Sequence, residues 1–114
     1  MKLSKIIDKC KLEKVAVCSD CEIETGYCSD LMSNVMAHAV PNCVWITIQA
    51  HKNSIAVALI KDIRTIIFTN NVQVEPEVIE KAKEEKINLL RTEKDSFTIC
   101  GEIYGMLEVK TETN

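Results

Sequence analysis

The sequence lacks a hydrophobic run long enough to cross a membrane. Its longest apolar segment, residues 55–68, is interrupted by Lys61, Asp62 and Arg64, whereas a membrane-spanning helix needs about 20 consecutive apolar residues. The first nine residues also lack the apolar stretch of a signal peptide. We therefore expect a cytoplasmic protein without a membrane partner.

An excess of basic residues is also missing. The chain has 14 Lys and Arg residues against 17 Asp and Glu residues, a formal net charge of −3, whereas nucleic-acid-binding domains usually present a basic patch. We therefore expect no nucleic-acid partner. The length of 114 residues, with 46% hydrophobic and 27% charged residues, is typical of one globular domain. We assign residues 1–110 to this domain and expect residues 111–114 to form a frayed tail.

Motifs for known catalytic chemistry are absent as well. The sequence has no lysine-bearing phosphate loop of the usual spacing, and no Ser/His/Asp or Cys/His arrangement that spacing alone would support. Its histidines, His38 and His51, lie apart from other candidate catalytic groups. We therefore expect a protein that is not an enzyme and that requires no cofactor.

Six cysteines are many for a cytoplasmic chain of this length, and without an export signal we expect reduced thiols. They are Cys10, Cys18, Cys21, Cys28, Cys43 and Cys100. Cys18 and Cys21 have the CxxC spacing of zinc and redox motifs, but zinc normally takes four ligands and no second pair has this spacing. We predict that they bind no metal; the alternative is a metal or redox sensor with Cys28 as a third ligand. The cysteines at 10, 43 and 100 are expected in the core.

Hydrophobic periodicity predicts alternating helices and strands. The predicted strands are 14–18, 22–28, 43–48, 65–69 and 87–90. Two of the predicted helices cover residues 3–12 and 55–60. Three more are predicted: one after Ser29 or Asp30, one that begins at Pro76 and one after Asp95. We expect N-caps at Ser4, at Ser29 or Asp30, and at Asp95. We expect a hairpin between the first two strands through Ser19 and Asp20, and an ion pair between Glu77 and Lys81. The order predicts an α/β fold, a three-layer domain with a mainly parallel sheet and helices on both faces.

The best candidate site is the loop from Thr47 to Asn53, which follows a buried strand. Ligands of open parallel sheets bind beyond the carboxyl ends of the strands, beside helix N-termini. The polar side chains of the loop are Thr47, Gln49, His51 and Asn53. We expect them to bind a phosphate or carboxylate; in the structural alternative, Asn53 caps the helix and His51 bonds a carbonyl group. Ser29 and Asp30 are a second candidate, which helix capping also explains.

Two segments carry a family resemblance. They are YCSDLMSNVM at residues 27–36 and VWITIQAHKNSIAVA at residues 44–58. Together with the strand at 65–69 and the Pro76 helix, they resemble the stand-alone DRTGG-domain proteins over nearly the whole chain. Relatives of this domain occur as regulatory parts of phosphotransacetylases and of CBS-containing inorganic pyrophosphatases. Its fold is similar to the N-terminal domain of the kinase that phosphorylates the sugar-transport phosphocarrier protein.

The resemblance implies a non-catalytic, often dimeric α/β module that binds ligands or partners. The Thr-Gly-Gly of the family pattern reads Thr69-Asn70-Asn71 here, and no Asp-Arg pair precedes the central helix. Asn adopts positive φ more readily than most residues, so we expect the turn to form, with Thr69 as a further site residue. We expect a regulatory module that binds a nucleotide or another small anionic ligand at the Thr47–Asn53 loop. The alternative is a homodimerising interaction module that acts on a larger enzyme in trans.

Overall fold

The computed structural model describes residues 1–111 and the side chains of residues 1–107. Its described residues form five helices and five strands, which alternate except that the second strand follows the first directly. The strands are β1 (Glu13–Ala16), β2 (Gly26–Cys28), β3 (Val44–Thr47), β4 (Thr65–Phe68) and β5 (Asn88–Arg91). The helices are α1 (Leu3–Cys10), α2 (Met32–His38), α3 (Lys52–Ile60), α4 (Pro76–Glu85) and α5 (Ser96–Thr111). No helix among the described residues is long and apolar enough to cross a membrane. The predicted tail, apart from Thr111, lies outside the described residues.

The strands form one sheet in the order β1-β5-β4-β3-β2. Strands β2 to β5 run parallel, and β1 is antiparallel to its neighbour β5. The side chain of Arg91 in β5 also binds β1, since its Nη2 donates to the two carboxylate oxygens of Glu13 at 2.9 and 3.1 Å. The mainly parallel sheet that the alternating order predicts is confirmed.

Helices cover both faces of the sheet, because successive strand side chains enter two different cores. On one face Trp45, Ile66 and Phe68 pack with residues of α2, α3 and α4. On the other face Ile46 and Ile67 pack with residues of α1 and α5. All residues of β3 and β4 are buried, as in parallel strands that are covered on both sides. The three-layer α/β architecture is therefore confirmed.

The predicted hairpin between the first two strands is wrong. β1 and β2 lie at opposite edges of the sheet, and β2 pairs in parallel with β3. The intervening segment instead returns to the N-terminus: Leu3 donates its N–H to the carbonyl of Cys21 at 2.9 Å, and Ile23 donates to that of Met1 at 2.7 Å. The buried side chain of Ile23 packs in the same core as α1. Burial of Ile23 holds this segment away from β1, and periodicity alone does not show that partner.

Helix starts agree with the predicted caps only in part. Asp95 caps α5, since its Oδ1 accepts the N–H of Thr98 at 2.8 Å. Ser4 does not cap α1, because it lies inside the helix. The carboxylate of Asp20 instead accepts the N–H and the hydroxyl of Ser4, at 2.8 and 2.9 Å, and these bonds lower the pKa of Asp20. A residue distant in sequence thus satisfies a first-turn N–H group.

The charged residues of α4 pair differently from the prediction. The helix begins at Pro76 as predicted, but Glu77 and Lys81 are not partners. The ammonium of Lys81 lies 3.2 Å from the carboxylate of Glu85, and that of Lys52 lies 3.7 Å from Glu77. Glu77 therefore reaches the start of the neighbouring helix α3 rather than the next turn of its own helix. Exposed pairs of this kind contribute little to stability.

Candidate functional site

Four parallel strands end at one edge of the sheet, and polar residues lie at each of these ends. Strand by strand, they are Ser29 and Asp30, Thr47 and Gln49, Thr69 to Asn71, and Thr92. Helices α3 and α4 and, on the other face, α5 start at the same edge. This is where parallel α/β sheets bind their ligands. The carboxyl edge of the sheet is therefore the candidate site.

Asp30 ties the end of β2 to the end of β3. Its Oδ1 accepts the hydroxyl of Thr47 and the backbone N–H of Ile48, both at 2.9 Å. Helix α2 begins at Met32, has Leu31 as its N-cap residue and receives no side-chain cap. The predicted capping role of Asp30 is therefore wrong, because groups of the neighbouring strand hold its carboxylate.

Ser29 closes the turn between β2 and α2. Its hydroxyl accepts the N–H of Leu31 at 3.2 Å, a local turn rather than a helix cap. Its carbonyl accepts the indole N–H of the buried Trp45 at 3.0 Å. Tyr27 donates its hydroxyl to Asn34, which fixes α2 against β2. Ser29 is thus held by contacts within the fold.

Thr47 is fully buried and shapes the loop that follows β3. Its hydroxyl donates to Asp30 and accepts the N–H of Gln49 at 3.1 Å. The carbonyl of Gln49 in turn accepts the hydroxyl of Ser54 at 2.5 Å. These bonds use both the donor and an acceptor site of the Thr47 hydroxyl, so its role is to hold the loop in one conformation.

The outer part of the loop leads directly into α3. His51 is the N-cap residue, with φ −123° and ψ 158°, and its side chain makes no capping bond. Asn53 lies inside the first turn and so does not cap the helix. His51, Lys52 and Asn53 are exposed. Because first-turn N–H groups have no acceptor within an α-helix, this segment offers backbone donors beside an ammonium, an imidazole and an amide.

Thr69 lies deeper in the same edge, after β4. It is fully buried, and its hydroxyl oxygen lies 3.3 Å from that of Ser96 at the start of α5. Its N–H donates to the carbonyl of Thr47 at 3.1 Å. Thr69 therefore connects the ends of β3 and β4 with the first residue of α5.

The turn after Thr69 forms as predicted. Asn70 and Asn71 both have left-handed backbone conformations, with φ of 60° and 52°. The N–H of Val72 closes the turn on the carbonyl of Thr69 at 3.2 Å. Asn accepts this conformation with less strain than most residues, so two asparagines form a turn of the kind that glycines favour.

The predicted site residues fall into two layers. Asp30, Thr47 and Thr69 form a hydrogen-bonded inner layer, whereas His51 and Asn53 lie outside it, on the surface. Sequence reasoning missed Ser96, the hydroxyl partner of Thr69. The signal that could have found it is its place directly after the Asp95 cap, which puts it at a helix start and hence at this edge of the sheet.

The sequence of the chain matches a known protein family. The family model of the DRTGG domain matches residues 11–106. The chain belongs to the DRTGG domain family. None of the curated proteins searched matches it.

This DRTGG domain has the fold of a solved regulatory region. It is similar to the crystal structure of the CBS and DRTGG domains of the regulatory region of Clostridium perfringens pyrophosphatase, complexed with the activator diadenosine tetraphosphate. The TM-score is 0.73 and the sequence identity is 19%. The match covers 89% of this chain and 45% of that chain, so this chain spans less than half the length of the solved chain. The likeness is one of fold.

The DRTGG domain also has a cavity of about 540 Å³ between the edge strand β2 and α5. Phe97 and Tyr104 of α5 line it and are 89% and 65% exposed. Its volume is in the range of small-molecule sites. Sequence reasoning found only the buried stripe of α5 and missed this cavity. The signal was the recurrence of Phe97, Gly101 and Tyr104 at helical spacing, away from the buried Ile99 and Ile103.

The cysteines do not gather at one place. Those at 10 and 43 are buried, as predicted, and that at 100 is half-buried. Cys18 is exposed, and the thiol of Cys21 lies 3.2 Å from the hydroxyl of Thr65 at the start of β4. Cys28 ends β2 at the other end of the sheet, so the alternative in which Cys28 is a third ligand is wrong. Within the described part of the chain, no three His, Cys, Asp or Glu side chains could hold a metal ion.

Proposed function

We propose that this DRTGG domain is a non-catalytic regulatory module that binds a small anionic ligand, such as a nucleotide, at the Thr47–Asn53 loop. The observation that carries the proposal is the exposed start of α3, where His51, Lys52 and Asn53 lie together. Free N–H groups and the positive end of the helix dipole favour an anion at such a place. The ammonium of Lys52 adds a full positive charge.

The bonds beneath this surface support the proposal. The contacts of Asp30 with Thr47 and of Ser54 with Gln49 fix the loop before any ligand arrives. A preformed loop loses little conformational entropy on binding. The exposed carboxylate of Glu77, 3.7 Å from Lys52, is a partner that an incoming phosphate would displace at small cost, since exposed ion pairs are weak.

The comparisons support the same proposal at a coarser level. The chain is a DRTGG domain, and the similar CBS and DRTGG domains of the pyrophosphatase form a regulatory region that was solved with a nucleotide activator. A regulatory role requires binding rather than catalysis, and no motif for catalysis is evident in the sequence. A nucleotide is therefore the first ligand class to test.

Thermal unfolding of the full chain in the presence of ATP, diadenosine tetraphosphate or inorganic phosphate tests this proposal. A ligand that binds only the folded state adds about 2.7 kcal/mol of stability at 100 times its Kd. We expect at least one of the nucleotides to raise Tm, and Lys52→Gln to reduce this rise. Lys5→Gln, on the exposed side of α1, is the matched control and should leave it unchanged. Equal rises in both variants, or none in the wild type, contradict the proposal.

A homodimer that acts on a larger enzyme in trans is the second candidate function. The observation that favours it is the exposure of Phe97 and Tyr104 beside the free edge of β2. Exposed apolar patches of this kind often mark interaction sites. Sedimentation equilibrium should then show a dimer that Phe97→Ser weakens, whereas Ile60→Ser, at an exposed apolar position on α3, should not weaken it. A monomer at all concentrations contradicts this candidate.

A further inference from the structure

Two cysteines that are far apart in sequence line one cavity of this domain. Cys28 is the last residue of β2 and is exposed, and Cys100 lies in α5 and is half-buried. Both line the cavity of about 540 Å³ between β2 and α5. The other exposed thiol among the described residues, that of Cys18, lies on the loop after β1 and outside this cavity.

The two thiols also interact with each other. Burial raises the pKa of the Cys100 thiol, and hydrogen bonding and charge interaction with the Cys28 side chain raise it further, to about 12. Cys100 therefore keeps its proton at neutral pH while Cys28 is a free thiol. Cys10 differs, because its thiol is buried and lies 3.9 Å from the sulfur of Met106, away from solvent.

We propose that Cys28 and Cys100 form a reversible dithiol–disulfide modification site that reacts with low-molecular-weight disulfides at the mouth of the cavity. Exposure makes Cys28 the sulfur that an external disulfide reaches first, since access and thiolate character decide which cysteine reacts. Cys100, on the opposite wall of the same cavity, is then the resolving cysteine.

The reaction proceeds by two exchanges. The deprotonated Cys28 sulfur attacks the external S–S bond, forms a mixed disulfide and expels one small thiolate, which takes up a proton. In the mixed disulfide Cys28 no longer carries the charge or the thiol that raises the pKa of Cys100. The Cys100 thiol then loses its proton to solvent, and its sulfur attacks the sulfur of Cys28 and expels the second small thiolate. The two protein thiols lose two electrons and two protons, and the external disulfide is reduced to two small thiols.

The product joins α5 to the edge strand β2 across the cavity. Such a cross-link fixes the spacing of the two walls and restricts entry to the space between them. Because β2 ends in Cys28 directly before Ser29 and Asp30, the cross-link lies beside the carboxyl edge of the sheet. The reaction of these two thiols requires no anion at the α3 loop.

Peptide mapping by mass spectrometry tests the proposal on the full chain treated with oxidised glutathione. The wild type should yield a Cys28–Cys100 disulfide that dithiothreitol reverses. Cys100→Ser should lose the cross-link and accumulate one glutathione adduct at Cys28, and the control Cys18→Ser should retain the cross-link. The wild-type map does not depend on the folding of any variant.

Absence of the Cys28–Cys100 disulfide from the wild-type map overturns the proposal, whatever the other cysteines form. A Cys100→Ser chain that carries its adducts at other cysteines and not at Cys28 also overturns the assigned order of attack. Retention of the cross-link in Cys18→Ser excludes a route through the CxxC pair.

Discussion

Single residues at the carboxyl edge of the sheet hold the loop by accepting hydrogen bonds from it. The carboxylate of Asp30 receives two hydrogen bonds, from the buried hydroxyl of Thr47 and from the N–H of Ile48. Buried polar groups that lose a partner are costly, whereas a typical satisfied bond contributes only modestly. Asp30 is therefore more important for the shape of the site than its exposed position suggests.

Asp30→Ala should lower the free energy of unfolding by about 1–3 kcal/mol, because it leaves the Thr47 hydroxyl and the Ile48 N–H without their acceptor. Urea denaturation measures this change. Asp8→Ala removes an exposed carboxylate on α1 and serves as the matched control, which should change stability by less than about 0.5 kcal/mol. Equal effects of the two substitutions would show that Asp30 has no structural role.

Substitutions of Asn71 test the turn in which two asparagines stand in place of the Gly-Gly of the family pattern. The φ of Asn71 is 52°, and a left-handed conformation costs a residue with a β-carbon about 1–2 kcal/mol, most for β-branched side chains. Asn71→Val should therefore lower the urea midpoint, whereas Asn71→Gly at the same position should leave it nearly unchanged. A lower midpoint for Asn71→Gly than for Asn71→Val would be inconsistent with the observed turn.

Among the helices, α5 has two faces with different surroundings. Asp95 starts this helix by accepting the N–H of Thr98. One face of α5 packs Ile99 and Ile103 into the core, and another presents Phe97 and Tyr104 beside the cavity. Sequence periodicity predicts the first face because burial requires it; the second depends on where β2 lies, which local sequence does not determine.

The Asp95 cap gives α5 a pH dependence. The hydrogen bond from the Thr98 backbone lowers the pKa of Asp95 below its ordinary value of 3.8. A lowered pKa in the folded state stabilises the protein above pH 3.8, and this contribution is lost as the pH falls through the lower, folded-state pKa. The wild type should therefore exceed Asp95→Asn in urea midpoint at pH 7, and the difference should shrink below pH 4. A difference that stays constant from pH 7 to pH 2 would contradict this role.

The cysteines of the CxxC loop are placed by other elements. The buried amide of Asn88 accepts the N–H groups of Cys18 and Ser19 at 2.7 and 3.1 Å, and it donates to the sulfur of Cys21 at 3.6 Å. The loop is thus fixed by protein groups. Elemental analysis of protein purified without a tag or chelator should find no stoichiometric zinc or iron; one metal per chain, lost in a Cys18→Ser, Cys21→Ser double variant, would contradict this prediction.

The whole molecule shows which parts of the fold follow from sequence. Continuous apolar runs predict β3 and β4, and the alternating order predicts the parallel sheet and its two helical layers. The position of β2 in the sheet could not be predicted from the sequence, because its three residues carry no signal that distinguishes β1 from β3 as a partner. The same limit applies to Asp30, since helix capping and a bond to Thr47 require the same residue type.

The sequence predicts where the candidate site lies but not the role of each of its residues. Thr47 and Thr69 do lie at the predicted edge, yet both are buried and bonded within the fold. His51 and Asn53 are the exposed members, with Lys52 between them. The polarity of a side chain indicates that it needs a partner, and only the tertiary structure shows whether that partner is the protein or a ligand.

The most direct test of binding at the Thr47–Asn53 loop is an amide chemical-shift titration of the full, isotopically labelled chain with diadenosine tetraphosphate. The account predicts that the largest shifts occur in the segment from residue 48 to residue 54, at the start of α3, and that Lys52→Gln reduces them while Lys5→Gln does not. Shifts that concentrate instead on β2 and α5, or no shifts at saturating nucleotide, would contradict it.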